Sequence, residues 1–208
     1  VTGTLTVNGA ITSTSDLTIA DKIIHAGDTD TFVSFPSANT VSVETGGSER
    51  ARIDSAGRFL VGTSTARAVG GAGDSLLQIE GANAKSQISI IRNQASNAGP
   101  ALSFGKTRGG SVGGTTVVQS GDKLGTIRFN GADGTDLVSD AASIVAEVDG
   151  TPGSNDMPGR LVFSTTADGA ASPTTRLTID SAGTSTFTGS VEITGTSTVL
   201  KFTENDAN

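Results

Sequence analysis

The residues of this chain that have the means to do chemistry are few and scattered. His25 is the only histidine and there is no cysteine, so a Ser-His-Asp triad has one residue to build on and thiol chemistry has none. His25 reads as a structural residue; the alternative is a symmetry-related site where His25 from several chains meets on an axis, with Asp28 and Asp30 nearby, and holds iron or zinc. Asn130-x-x-Asp133-Gly134-x-Asp136 places three oxygen ligands in a Gly-containing loop, the supply calcium uses, but the spacing is not that of an EF-hand. A plain Asx-rich turn is the simpler reading. Glu147 and Asp149, two apart on a strand, face one side, as a pair of carboxylates for glycoside hydrolysis must. Sugar sites commonly need flat aromatic platforms, however, and the chain has no Trp and no Tyr. Gly109-Gly110-Ser111-Val112-Gly113-Gly114 lacks the Lys-Ser/Thr of a phosphate-binding loop and its strand-then-helix setting, and reads as a surface loop. No catalytic, cofactor or metal residue is assigned on this basis, and the chain is expected not to be an enzyme.

The elements that would have to position any such group are short β-strands. Ile53-Asp54-Ser55-Ala56-Gly57 returns unchanged as Ile179-Asp180-Ser181-Ala182-Gly183. Ala51 and Ile53, like Leu177 and Ile179, alternate with Arg52 and Thr178, the period-2 signature of a half-buried strand. Asp at the first position of a tight turn hydrogen-bonds to backbone ahead of it, and Gly at the fourth accepts a positive φ. Phe59 and Val61, and likewise Phe187, resume the same parity after the turn. The phrase predicts a β-hairpin, used twice.

Composition narrows the classes further. Leu, Ile, Val and Phe together stand only slightly above the ~20% level below which chains tend to stay unfolded, while 28 residues are glycine, which has nothing to bury and costs backbone entropy. A lone monomer looks marginal, and identical chains are the simplest partner surface for short apolar runs and exposed strand edges. A net charge of -7 argues against a phosphate-backbone partner, so no nucleic acid is expected. Arg50, Arg52, Arg58 and Arg67 are interspersed with Glu49 and Asp54 and read as a solvated face. No apolar run approaches the ~20 residues that span a bilayer, and no membrane insertion is expected. Opening on Val1, the sequence is expected to be part of a longer chain.

Along the chain, residues 1–66 read as a slender β-repeat shaft: Leu5 and Val7 before the Asn8-Gly9 turn, then Leu17 with Ile19, Ile23 with His25, and Val41 with Val43 before Gly46-Gly47. Residues 67–74 lack periodicity and are the linker candidate. Residues 75–182 carry seven alternating runs, Leu77 with Ile79, Ile88 with Ile90, Leu102 with Phe104, Ile127 with Phe129, Ile144 with Ala146 and Val148, Leu161 with Phe163, and Leu177 with Ile179, predicting a β-sandwich or β-prism domain. Ser139–Glu147 could start with a capped helix, but alternation across Ile144, Ala146 and Val148 favours strand. Residues 183–208 restart the shaft, since Gly189-Ser190-Val191-Glu192-Ile193-Thr194-Gly195 echoes Gly3-Thr4-Leu5-Thr6-Val7-Asn8-Gly9.

The Glu49-Arg50-x-Arg52-Ile53-Asp54-Ser55-x-Gly57-x-x-x-Val61-Gly62 pattern resembles a recurrent element of tail fibres of tailed bacteriophages. Asp21 to Thr31, Glu44 to Arg50, Gly121 to Gly134 and Asp156 to Thr165 are similar to further segments of such fibres. The resemblance implies an all-β, elongated, intertwined homotrimeric fibre, with thin β-repeat shaft segments flanking the β-sandwich/β-prism domain. It implies a shaft or spacer of the virion tail, assembled in the host cytoplasm, that presents a receptor-binding tip for host adhesion. Partners would be two further copies, other tail or baseplate proteins, and the host surface indirectly, with no cofactor. Ile53, Phe59, Val61, Ile179, Phe187, Val191 and Ile193 are the candidate trimer-core residues. The alternatives are a host-glycan binding or depolymerising tailspike module, with Glu147 or Asp149 essential, and a bacterial adhesin stalk.

Overall fold

The structure, a computed structural model, describes residues 7–71, 73–82 and 86–195. All regular structure in them is β. The first sheet is built from β1 (Lys22–His25), β2 (Asp28–Ser34), β3 (Val41–Thr45), β4 (Ser48–Ile53), β5 (Phe59–Val61) and β6 (Leu77–Ile79), in that spatial order. Its neighbours are antiparallel except β5 and β6, which run parallel. The second sheet is an antiparallel meander of β7 (Lys123–Asn130), β8 (Asp140–Val148), β9 (Gly159–Thr165), β10 (Thr174–Ile179) and β11 (Ser185–Phe187). The chain divides into two compact units, Val1–Arg67 with Ala72–Ile90, and Ala68–Gly71 with Ile91–Asn208.

Turn chemistry explains the hairpins. Gly46 and Gly47, at φ 56° and 66°, form the two-residue loop between β3 and β4, with left-handed backbone at both central positions as a primed turn requires. The repeated phrase forms the β4–β5 and β10–β11 turns with one hydrogen-bond pattern. Asp54 Oδ1 accepts from the amides of Ala56 and Arg58, both at 3.0 Å. Asp180 Oδ1 accepts from those of Ala182 and Thr184 at 3.0 and 2.8 Å. Gly57 and Gly183, at φ 78° and 84°, donate back to Asp54 O and Asp180 O. Each carboxylate thus satisfies two donors that a tight reversal leaves without ladder partners.

Several sequence expectations are revised. Leu77 and Ile79 lie in the first sheet, whereas the sequence assigned their run to the second domain. The reason is the crossover after β5: Gly62 takes φ +77° with its N–H on Arg50 O, Phe59 N–H donates to Leu76 O, and the Arg58 guanidinium, held at 2.7 Å from Asp54, also pairs with Asp74. The 67–74 segment is anchored at more than one point: Arg67 pairs with Glu80 at 2.6 Å, and buried Gly70 donates to Leu137 O. The division into units falls within that segment and again between Ile90 and Ile91. Leu17 with Ile19, Ile88 with Ile90, and Leu102 with Phe104 form no strand, and Ser139–Glu147 contributes to strand β8. Leu5, Leu200 and Phe202 lie outside the described residues, as does the part of the expected shaft restart beyond Gly195.

The second unit holds one sheet, so a layer to face it, as a sandwich or prism has, is not supplied by its own described strands. Full burial is correspondingly rare. Among the described residues the buried apolar side chains are Leu60, Val118, Val145 and Val148.

Candidate interaction surface

Register decides what each sheet presents, because residues directly opposite across a ladder share a face. In the first sheet, Ser34, Ser42, Arg52, Leu60 and Gln78 form one cross-strand row. That row is the covered side: Leu60 and Ser42 are both 0% exposed, and the Ser34 and Ser42 hydroxyls share a buried hydrogen bond of 2.8 Å. The rows on the other face are apolar, Val33, Val43, Ala51, Val61 and Ile79 in one, and Val41, Ile53, Phe59 and Leu77 in the next. Ile53 is 49% exposed and Phe59 46%.

The second sheet repeats the arrangement. Phe187, Leu177, Phe163, Ile144 and Ile127 make one apolar row, and Ile179, Leu161, Ala146 and Gly125 the next. Phe104 lies against this face, beside a recess of about 320 Å³ lined also by Leu124, Ile127, Ile144 and Leu161. The opposite face carries Thr126, Val145, Val162, Thr178 and Thr186, of which Val145 is buried. Polar Thr and buried Val therefore occupy the side that the apolar rows do not.

Of the candidate trimer-core residues, Ile53, Phe59 and Val61 share one face of the first sheet, and Ile179 and Phe187 one face of the second. Val191 and Ile193 lie in neither sheet and are exposed. Leu161, Phe163, Ile144 and Ile127 complete the second face, and their inward parity was the signal that marks them. Leu60 carries the opposite parity in the first sheet, and nothing in the pattern singled it out as the buried one.

The surface left uncovered is large. On these faces Ile53, Phe59 and Leu77 of the first sheet, and Ile127, Leu161 and Phe187 of the second, stand between 41% and 54% exposed. Contiguous apolar patches beyond a few hundred Å² mark interaction sites. Each such aliphatic or aromatic side chain contributes roughly 1.5–3 kcal/mol when taken fully out of water.

The groups considered for chemistry are engaged otherwise. Arg160 reaches both carboxylates of the glycosidase pair, Glu147 Oε2 at 2.8 Å and Asp149 Oδ1 at 3.1 Å. Asp149 also accepts the Ser181 amide at 2.9 Å, and that amide first, then the Ser181 hydroxyl and Arg160, holds its carboxyl below the usual range. Both carboxylates are thus ion-paired to one guanidinium. Asp133 closes an Asx turn, its Oδ1 on the amides of Thr135 and Asp136 and its Oδ2 on the Ser139 hydroxyl. His25 Nδ1 stands 3.8 Å from Asp28 at the exposed β1–β2 turn. Among the described residues no three His, Cys, Asp or Glu side chains are grouped to hold a metal ion, and no helix is long and apolar enough to cross a membrane.

No protein-family model matches this sequence, and no curated protein does. Among solved structures the fold is similar to the carboxy-terminal domain of the bacteriophage T5 L-shaped tail fibre, with a TM-score of 0.67 and 14% identity over 98% of this chain and 99% of that one. It is also similar to that domain solved with its intra-molecular chaperone domain, with a TM-score of 0.61 and 14% identity over 96% of this chain and 68% of the other. At such identity the likeness is one of architecture: this chain has the all-β, two-sheet fold of a phage tail-fibre carboxy-terminal domain.

Proposed function

We propose that this chain is a structural segment of a bacteriophage tail fibre, a homotrimeric shaft or spacer in the virion tail that presents a receptor-binding tip to the host. One observation carries the reading: each sheet, taken by itself, gathers its apolar rows on one of its two faces and leaves that face largely uncovered, in a fold shared with a tail-fibre domain. Its mechanism is mechanical. Ile53, Phe59 and Val61, and separately Ile179 and Phe187, pack against other copies, and the energy of that burial makes the assembled fibre stiff. Thr and Ser on the remaining surface keep it hydrated. No catalytic step belongs to the proposal. Assembly in the host cytoplasm is part of it, and the cysteine-free composition suits a reducing compartment. Attachment to tail or baseplate proteins and contact with the host through a distal tip complete the reading.

Light scattering during size-exclusion chromatography, with small-angle scattering on the same peak, tests it. A rod with the mass of three chains is the expected result. A compact monomer stable at micromolar concentration would remove the proposal.

A further inference from the structure

Two asparagines of this chain are followed by glycine, in Asn8-Gly9 and Asn130-Gly131, and the fold treats the two pairs in opposite ways. An Asn side-chain amide is open to attack by the backbone nitrogen of the next residue, and glycine in that place removes the Cβ that would obstruct the approach. The step needs an amide free to swing onto its own following peptide and a backbone free to turn with it. Asn8 meets both conditions. Asn8 and Gly9 form an exposed bend, a Cβ added at Gly9 would meet nothing within 4 Å, and among the described residues the Asn8 side chain has no hydrogen bond. Asn130 meets neither. It ends β7 directly opposite Asp140 of β8, and its Nδ2 donates to Asp140 Oδ1 at 2.6 Å. Gly70 packs against the amide oxygen, since a Cβ added there would stand 3.5 Å from Asn130 Oδ1. Asp140 is fixed in turn, its carbonyl accepting the Thr166 hydroxyl at 2.5 Å. Cyclisation at Asn130 therefore requires the amide to leave Asp140 and the end of the β7–β8 ladder to open.

We propose that Asn8 is a site of spontaneous modification, deamidation through a cyclic imide, and that the β7–β8 pairing protects Asn130 from the same reaction. The Gly9 nitrogen bonds to Asn8 Cγ, the Cγ–Nδ2 bond breaks, and the Gly9 amide proton leaves with the amino group as ammonia. Water then opens the imide at either carbonyl, giving aspartate or isoaspartate, with no oxidant or reductant involved. Either product adds a negative charge to a chain whose net charge is already -7, and isoaspartate also inserts a methylene into the backbone of the bend.

Incubation of the full chain in heavy-oxygen water at mildly alkaline pH, followed by peptide mapping in a mass spectrometer, tests this. Heavy oxygen is expected in the peptide that holds Asn8, with isoaspartate there detected by enzymatic methyl transfer from S-adenosylmethionine. In the folded chain Asn130 is expected to react at least about tenfold more slowly than Asn8, because it reacts only from an opened strand end. In concentrated urea the two rates are expected to converge. Asp140→Ala, which takes away the acceptor, is expected to speed the reaction of Asn130 and leave that of Asn8 unchanged, whereas Asp140→Asn keeps an acceptor oxygen and is expected to leave Asn130 slow. Should Asp140→Ala fail to fold, the comparison of folded and urea-treated parent chain decides by itself. An unreactive Asn8, an Asn130 that keeps pace with it in the folded chain, or rates that stay apart in urea overturns the inference.

Discussion

Phe104 lies across the backbone of Gly125 so closely that a Cβ at Gly125 would stand 2.8 Å from Phe104 Cβ and 2.9 Å from Cγ. The near end of the side chain, not its flexible tip, occupies the space, so any residue larger than glycine must move the Ala101–Gly105 segment. Gly125→Ala is therefore expected to lower stability by about 1–3 kcal/mol, the usual cost of overpacking. Combining it with Phe104→Ala is expected to recover part of that loss. A double-mutant cycle in chemical denaturation measures the coupling, and strict additivity would sink the claim that the two positions compete for one space.

Gly62 separates backbone conformation from space. Both Gly57 and Gly62 have left-handed φ, but Gly57 has nothing within 4 Å of an added Cβ, whereas at Gly62 it would collide with Glu80 O. Glu80 N–H donates to Val61 O, which fixes the strand that the Cβ would strike. Gly57→Ala is expected to cost roughly 1–2 kcal/mol, the penalty of an L-residue in that region. Gly62→Ala is expected to cost distinctly more and to loosen β6. Thermal midpoints of the two variants rank them, and equal losses would show that β6 yields without cost.

The hairpins were legible because their turns are written locally: Asp54 and Gly57, or Asp180 and Gly183, need only each other and the amides between them. The common face of Ile53, Phe59 and Val61 was legible for the same reason, since alternation fixes parity. The parallel pairing of β6 was not, because it depends on Gly62 meeting Glu80 and on Arg58 meeting Asp74, contacts far apart in sequence. Alternation also misled at Ile88 with Ile90 and Leu102 with Phe104. It reports that a strand has two faces and says nothing of which strand lies beside it. Leu60 shows the same limit, being buried on the face that the pattern marks as polar.

Acid sensitivity follows from the turn carboxylates. Asp54 is held below the ordinary carboxylate range by the Arg58 amide first, Asp122 by the Arg108 guanidinium and then the Gln119 amide, and Asp149 by the Ser181 amide. A depressed folded-state pKa gives stability that is complete above the unfolded value, about 4, and is lost as pH falls through the folded values. Asp30, raised by its hydrogen bond to Asp28, acts in the opposite sense: its contribution is present at low pH and is lost as pH rises through its own titration. The same bond lowers Asp28, and Asp133 is lowered by the Thr135 amide first, so five lowered groups outweigh the one raised. The thermal midpoint is expected to stay level from neutrality to about pH 5 and to fall below about pH 4. Asp122→Asn is expected to lower the midpoint at neutral pH and to flatten the acid limb; an unchanged limb would remove Asp122 from the account.

Leu60 and Phe59 are neighbours in sequence on opposite faces of β5, one 0% and the other 46% exposed, and their replacement separates folding from association. Leu60→Ala removes a buried side chain from within one chain and is expected to cost about 2–5 kcal/mol of stability. The mass of the assembly formed below its lowered midpoint is expected to be unchanged. Phe59→Asp places a charge on the uncovered apolar face, where only a partner would notice it, and Phe187→Asp does the same on the second sheet. On the proposed homo-oligomer these two variants are expected to dissociate at concentrations where the parent chain stays assembled, and to melt below the parent at equal concentration with less dependence of the midpoint on protein concentration, as linkage to association requires. Light scattering across a dilution series reads both effects. If Phe59→Asp and Phe187→Asp keep the parent mass and midpoint throughout, the apolar faces are not where the copies meet.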